Sequence, residues 1–180
     1  MIRTWMAGAA LALAMAPVAA AAQEGKQLDC AVGAATPELK ASIGGAMTSD
    51  GDDAGRDAVF EQLGHIVDSC VAEHKIAAAD KATYFDYSLA RISREWLVGD
   101  IAKANLKANV VDQVLDFGPR GANPDLSSEM TDDQINAIVQ AYIAAGADIG
   151  TIDQKVWEKV GAYAAATSIY WNKRKLLPFK

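Results

Sequence analysis

Two cysteines, two histidines and a run of acids are the residues of this chain whose types and spacing could do chemistry. Asp50, Asp52, Gly55 and Glu61 occupy positions one, three, six and twelve of a partial calcium loop. Carboxylates along a turn, a glycine at the bend and a bidentate acid on the next helix suit a hard cation. Ala54 at position five offers no oxygen, and Asp57 stands at position eight, where such loops place an apolar side chain. Acids that favour a helix N-terminus account for the same pattern without a metal. Further along, placing Gly150 at position six of a similar loop puts Ala145, Ala147 and Ile149 at ligand positions, with Val156 in place of the acid. That segment could not hold calcium.

His65 and His74 lie nine residues apart on one expected helix, so they face opposite sides and cannot share a metal there. Glu61, His65 and Asp68 do share a face. They could hold one zinc ion or work as acid and base, or form a solvated polar flank. Cys70 and His74 are four apart, but a disulfide would consume Cys70. C-x-x-C-H, H-E-x-x-H, G-x-S-x-G, S-x-x-K and Walker patterns are absent from the sequence. No catalytic, cofactor-binding or metal-ligating residue is assigned, and no cofactor is expected.

The N-terminus sets the compartment in which the cysteines must be read. Arg3 gives a positive start, Trp5–Met15 is apolar and uncharged, and Ala19–Ala22 offers a small-residue cleavage site before Gln23. Residues 1–22 are expected to be a signal peptide, with periplasmic or secreted residues 23–180 as a single all-α domain. The apolar run is shorter than the ~20 residues that a membrane span needs, and no transmembrane segment is expected in the mature chain. Cys30 and Cys70 are the only cysteines. An exported pair with no leftover thiol is expected to form one disulfide.

Composition narrows the partners. The chain has 180 residues, is 51% hydrophobic and carries a net charge of -6. Loss of Arg3 with the leader would make that charge -7. Duplex binding needs clustered cations to displace phosphate counterions, so no nucleic-acid partner is expected. With 14 Gly, 5 Pro and 2 Cys, the chain is neither collagen-like nor disulfide-dense.

The elements that would position these residues are helices. An extended lead-in over Gln23–Ala35 is followed by a short helix opened by Thr36, Pro37 and Glu38. A second helix is expected from Asp53 to Lys75, with Val59, Phe60, Leu63, Ile66, Val67, Cys70 and Val71 on one face. After a break at Ala77–Ala79, Asp80 is expected to cap a long helix reaching Ile101 or Leu106, which Val110–Phe117 extends or restarts. Gly118–Pro124 is the strongest break. Thr131–Gln134 is a capping box opening a helix that carries Ile135, Ile138, Val139, Tyr142 and Ile143 and ends at Gly146. Thr151–Gln154 is expected to be a second capping box. The last helix carries Val156, Val160, Tyr163, Thr167 and Tyr170, with Lys173, Arg174 and Lys175 at its negative end.

The expected fold is all-α: a bundle of two αα-hairpins plus a short N-terminal helix, held by one disulfide. Asp57–Trp96 and Thr131–Tyr170 share a layout that generic hairpins produce without duplication. Tyr84, Tyr87, Arg91, Arg94 and Trp96 crowd one helix. They form either a binding face or core aromatics beside paired arginines. The basic, aromatic tail Trp171–Lys180 is expected to be a frayed helix end rather than a membrane contact. The leading expectation is an exported, non-catalytic protein that binds a protein or small-molecule partner. The alternatives are an enzyme using Glu61 and His65, and a calcium or metal module at Asp50–Glu61.

Overall fold

The computed structural model describes residues 18–48, 53–126 and 129–179. They form seven α-helices: α1 (Val18–Ala34), α2 (Pro37–Ala46), α3 (Asp53–His74), α4 (Lys81–Ala102), α5 (Asn109–Val114), α6 (Asp132–Ala144) and α7 (Gln154–Leu176). Short 3-10 turns at Ala78–Asp80 and Ile149–Thr151 precede α4 and α7. No strand occurs among the described residues. The fold is an all-α bundle in which α4 and α7 make the most extensive pairing and connect two apolar clusters.

Caps set several boundaries. Thr36 accepts from the Leu39 amide at 3.2 Å, with Pro37 at the first position of α2. Thr131 accepts from the Gln134 amide at 3.3 Å while Gln134 Oε1 accepts from the Thr131 amide at 2.9 Å, a complete capping box. Gly146, at φ 89°, turns the chain out of α6 in the left-handed region that glycine adopts without steric cost.

Four local expectations are corrected. The lead-in is helical, because Leu28, Ala31, Val32 and Ala35 recur on one face that packs into the core. Helix α1 runs across the expected cleavage point after Ala22. Asp80 precedes α4 but makes no side-chain capping bond, since it belongs to the 3-10 turn and lies in the αR region. The second capping box does not form. Thr151 is held in its own turn, its hydroxyl donating to the Asp148 carbonyl, and Asp153 caps α7 by accepting from the Lys155 amide at 2.8 Å. The tail after α7 is not frayed: Leu177 and Phe179 are buried in the first cluster. The Phe179 carbonyl accepts from Arg174, and its ring stands edge-on to Tyr84.

The first cluster joins α1, α2, α3, the start of α4 and the tail, around Ile43, Leu63, Val67, Tyr84 and Tyr87. The Tyr84 hydroxyl donates to the Gln27 carbonyl at 2.6 Å and accepts from the Ala31 amide at 3.3 Å, joining one rung of α1. Gly44 admits the Trp96 ring so closely that a Cβ there would lie 2.1 Å from it. The second cluster joins the end of α4, α5, α6 and α7, around Leu97, Ile101, Val111, Tyr142 and Tyr163.

Candidate functional site

Cys30 and Cys70 form the disulfide, with Cα atoms 5.9 Å apart, and it ties α1 to α3. Cys70 is buried in the first cluster, so the bond closes a covalent loop through the core. Glu73 and His74 approach the sulfur of Cys30. A disulfide sulfur is not a thiolate, so this trio lacks the soft anionic ligand that zinc would take from cysteine.

The Glu61–His65–Asp68 face does not converge on one centre. Glu61 and His65 lie 3.9 Å apart, each 76% exposed, while Asp68 pairs with Lys81 at the start of α4. Open solvent on both sides leaves this pair no wall against which to orient a substrate. Of the possible calcium ligands, Asp50 and Asp52 lie outside the described residues. Glu61, the described one, faces His65.

The aromatic and arginine residues of α4 divide between core and internal pairing. Tyr84 and Tyr87 are fully buried. Arg91 donates to Asp29 at 2.6 Å, Glu95 at 3.0 Å, the Leu28 carbonyl at 3.1 Å and the Tyr87 hydroxyl at 3.2 Å. Burial alone would favour its loss of a proton, but the bonds to Asp29 and Glu95 outweigh this and raise its pKa further. Arg94 donates to Asp112 at 3.0 Å, and the Tyr163 hydroxyl donates to the same carboxylate at 2.8 and 3.0 Å. The Arg94 guanidinium also lies 5.4 Å from the Tyr163 ring centre and 5.7 Å from that of Tyr170, within cation–π range. This knot ties α4, α5 and α7 together. A cleft of about 360 Å³ opens beside it, lined by Arg94, Leu106, Lys107, Asp112 and Tyr163, but the internal bonds already engage both charges of the Arg94–Asp112 pair.

The least satisfied surface lies between α6 and α7. Ile138 and Tyr142 are the buried residues of α6, and Tyr142 meets Trp157 edge-to-face at 5.9 Å. Ile135, Val139 and Ile143 form a second row at i, i+4 and i+8. Ile135 is 43% exposed and Ile143 47%. Beside this row runs an apolar groove of about 340 Å³, lined by Met130, Ile135, Ile138, Val139, Trp157 and Val160, with Gly161 on α7. An adjoining recess of about 330 Å³ shares Met130, Ile135 and Gly161 and extends to Leu126, Glu129 and Ala165. A Cβ at Gly161 would meet only the Met130 methyl, at 3.9 Å, so the missing side chain leaves usable space.

The sequence pattern names Ile135, Ile138, Val139, Tyr142 and Ile143 as the apolar residues of α6 without separating them. The structure divides them into a buried row and an open one. The signal was the width of the stripe: residues 135, 139 and 143 already complete one row, and 138 and 142 another.

No protein-family model, curated protein or solved structure matches this chain. Any functional assignment therefore rests on the geometry of these surfaces.

Proposed function

We propose that this protein is an exported, non-catalytic binding protein, and that the groove between α6 and α7 is its binding site. One observation carries the reading: an almost wholly apolar groove of about 340 Å³ beside the exposed Ile135. That volume is at the small end of the range for ligand sites. Exposed apolar area rimmed by polar groups is a mark of interaction surfaces. Export is supported by the leader-like residues 1–22 and by the Cys30–Cys70 disulfide, which suits an oxidising compartment. The open exposure of Glu61 and His65 favours binding over catalysis at that pair.

The test is a photoreactive side chain at Val139 in the full chain, irradiated in periplasmic extract. The expected result is a discrete adduct that Gly161→Leu, which fills the groove, abolishes. An adduct pattern unchanged by Gly161→Leu would remove the groove as the site. Export is checked separately by N-terminal sequencing of the secreted product, expected to begin at Gln23.

A further inference from the structure

We infer that the occupant of the groove is a cationic amphipathic helix of a partner protein, its apolar face on Ile135, Val139 and Trp157 and its lysines or arginines over the acidic rim. This rests on the groove being the binding site and adds the chemistry of what it binds.

Charge comes first. Between Arg120 and Lys155 the chain carries six acids, namely Asp125, Glu129, Asp132, Asp133, Asp148 and Asp153, and no lysine, arginine or histidine. Glu129 lines the recess directly. Asp132 lies one turn before Ile135, on the same side of α6. On α7, Lys159 is drawn away to Asp100 at 2.5 Å. An apolar floor with acids at its edge selects an apolar ligand that carries positive charge. It disfavours a fatty acid or an anionic membrane surface, both of which would bring negative charge to the rim. A second copy using the same face would set acid against acid.

Shape comes second. Helix α6 has 13 residues, roughly 20 Å of axis, so a helix of three to four turns matches its length. Anchors at i, i+3, i+4 and i+7 would meet a groove of this kind. The chain covers its other hairpin in the same manner: α2, a ten-residue helix, lies across α3 and α4 with Leu39 and Ile43 buried.

The probes are three 14-residue peptides titrated calorimetrically into the intact protein. One has leucine and lysine in helical amphipathic register, one has leucine and glutamate in that register, and one has the leucine–lysine composition scrambled. The registered leucine–lysine peptide is expected to bind one per chain and to perturb Trp157 fluorescence. Its affinity should fall at least about tenfold with Gly161→Leu or Ile135→Gln, and several-fold with Glu129→Gln combined with Asp132→Asn. Raising the salt concentration should weaken it further. Two variants at different points of the groove guard against one that misfolds, and circular dichroism checks both. Equal or tighter binding of the leucine–glutamate peptide, lost with Gly161→Leu, would overturn the cationic assignment and leave the groove standing. Binding of the scrambled peptide as tight as that of the registered one would overturn the helical assignment. A dimer in sedimentation that Gly161→Leu dissociates would overturn it in favour of a second copy. Absence of any binding sensitive to Gly161→Leu or Ile135→Gln would remove both the inference and the groove.

Discussion

The two hairpins of this bundle share a local plan and differ in how they are closed. Each has a helix, a 3-10 turn and a second helix: α3, Ala78–Asp80 and α4 in one, α6, Ile149–Thr151 and α7 in the other. Helix α3 is enclosed. Leu63, Val67 and Cys70 are buried, the disulfide fixes it to α1, and α2 lies against it. Helix α6 buries Ile138 and Tyr142 and leaves Ile135 and Ile143 exposed. The difference comes from what the rest of the chain supplies. The first hairpin has two extra helices and a returning tail. Among the described residues the second has the six-residue α5 against the buried side of α6, and its surplus apolar row borders a groove.

The largest expected effect comes from cutting the staple of the enclosed hairpin. Cys30→Ser with Cys70→Ser reopens a loop of 40 residues, which chain entropy values at about 4 kcal/mol. Denaturant unfolding measures it. A loss under about 1 kcal/mol would mean that packing alone holds α1 in place.

Within the open hairpin, Ile138→Ala is expected to cost about 2–4 kcal/mol, as for a buried aliphatic side chain. Ile143→Gln on the same helix should change stability by no more than about 0.5 kcal/mol. Equal costs at the two positions would erase the distinction between buried and open rows.

Alkaline titration probes both clusters at once. Burial pushes the phenols of Tyr87 in the first cluster and Tyr142 and Tyr163 in the second up to about 12. A raised folded pKa gives stability that is complete below the ordinary value near 10 and lost as pH rises towards 12. Tyrosinate absorbance and unfolding should therefore rise together across that window. Full ionisation of all the tyrosines near pH 10 in a folded chain would contradict the burial.

Gly161→Ala should have a small effect, and a favourable one. It removes a glycine from a helix interior, worth about 0.5–1 kcal/mol, and its methyl meets only Met130 at 3.9 Å. A destabilised variant would show that the groove is closed in solution.

Much of the fold was legible in local patterns. The Thr36–Pro37–Glu38 start, the capping box at Thr131, the stop at Gly146 and the cysteine pair are short-range signals, or follow from a count of two thiols. The lead-in was misread because its helical repeat of Leu28, Ala31, Val32 and Ala35 acquires meaning only against Tyr84 and the α3 face. The second capping box failed because a 3-10 turn took Thr151 first. The candidate site was not legible. Ile135 and Ile143 carry the same apolar signal as Ile138 and Tyr142, and a stripe does not say how much of itself a neighbour will cover. Conversely, Glu61 and His65 had the right spacing, and only their exposure separated them from a site.

The sequence by itself determined the helical class, most of the helix boundaries and the pair of cysteines available to each other, because caps, breakers and residue counts act over a few positions or need no geometry. Tertiary structure decided which apolar residues found partners. It placed α2 and the tail over the first hairpin, spent Arg91 and Arg94 on internal acids, and left the groove between α6 and α7 open. Burial depends on where distant segments come to rest, and no local pattern records that.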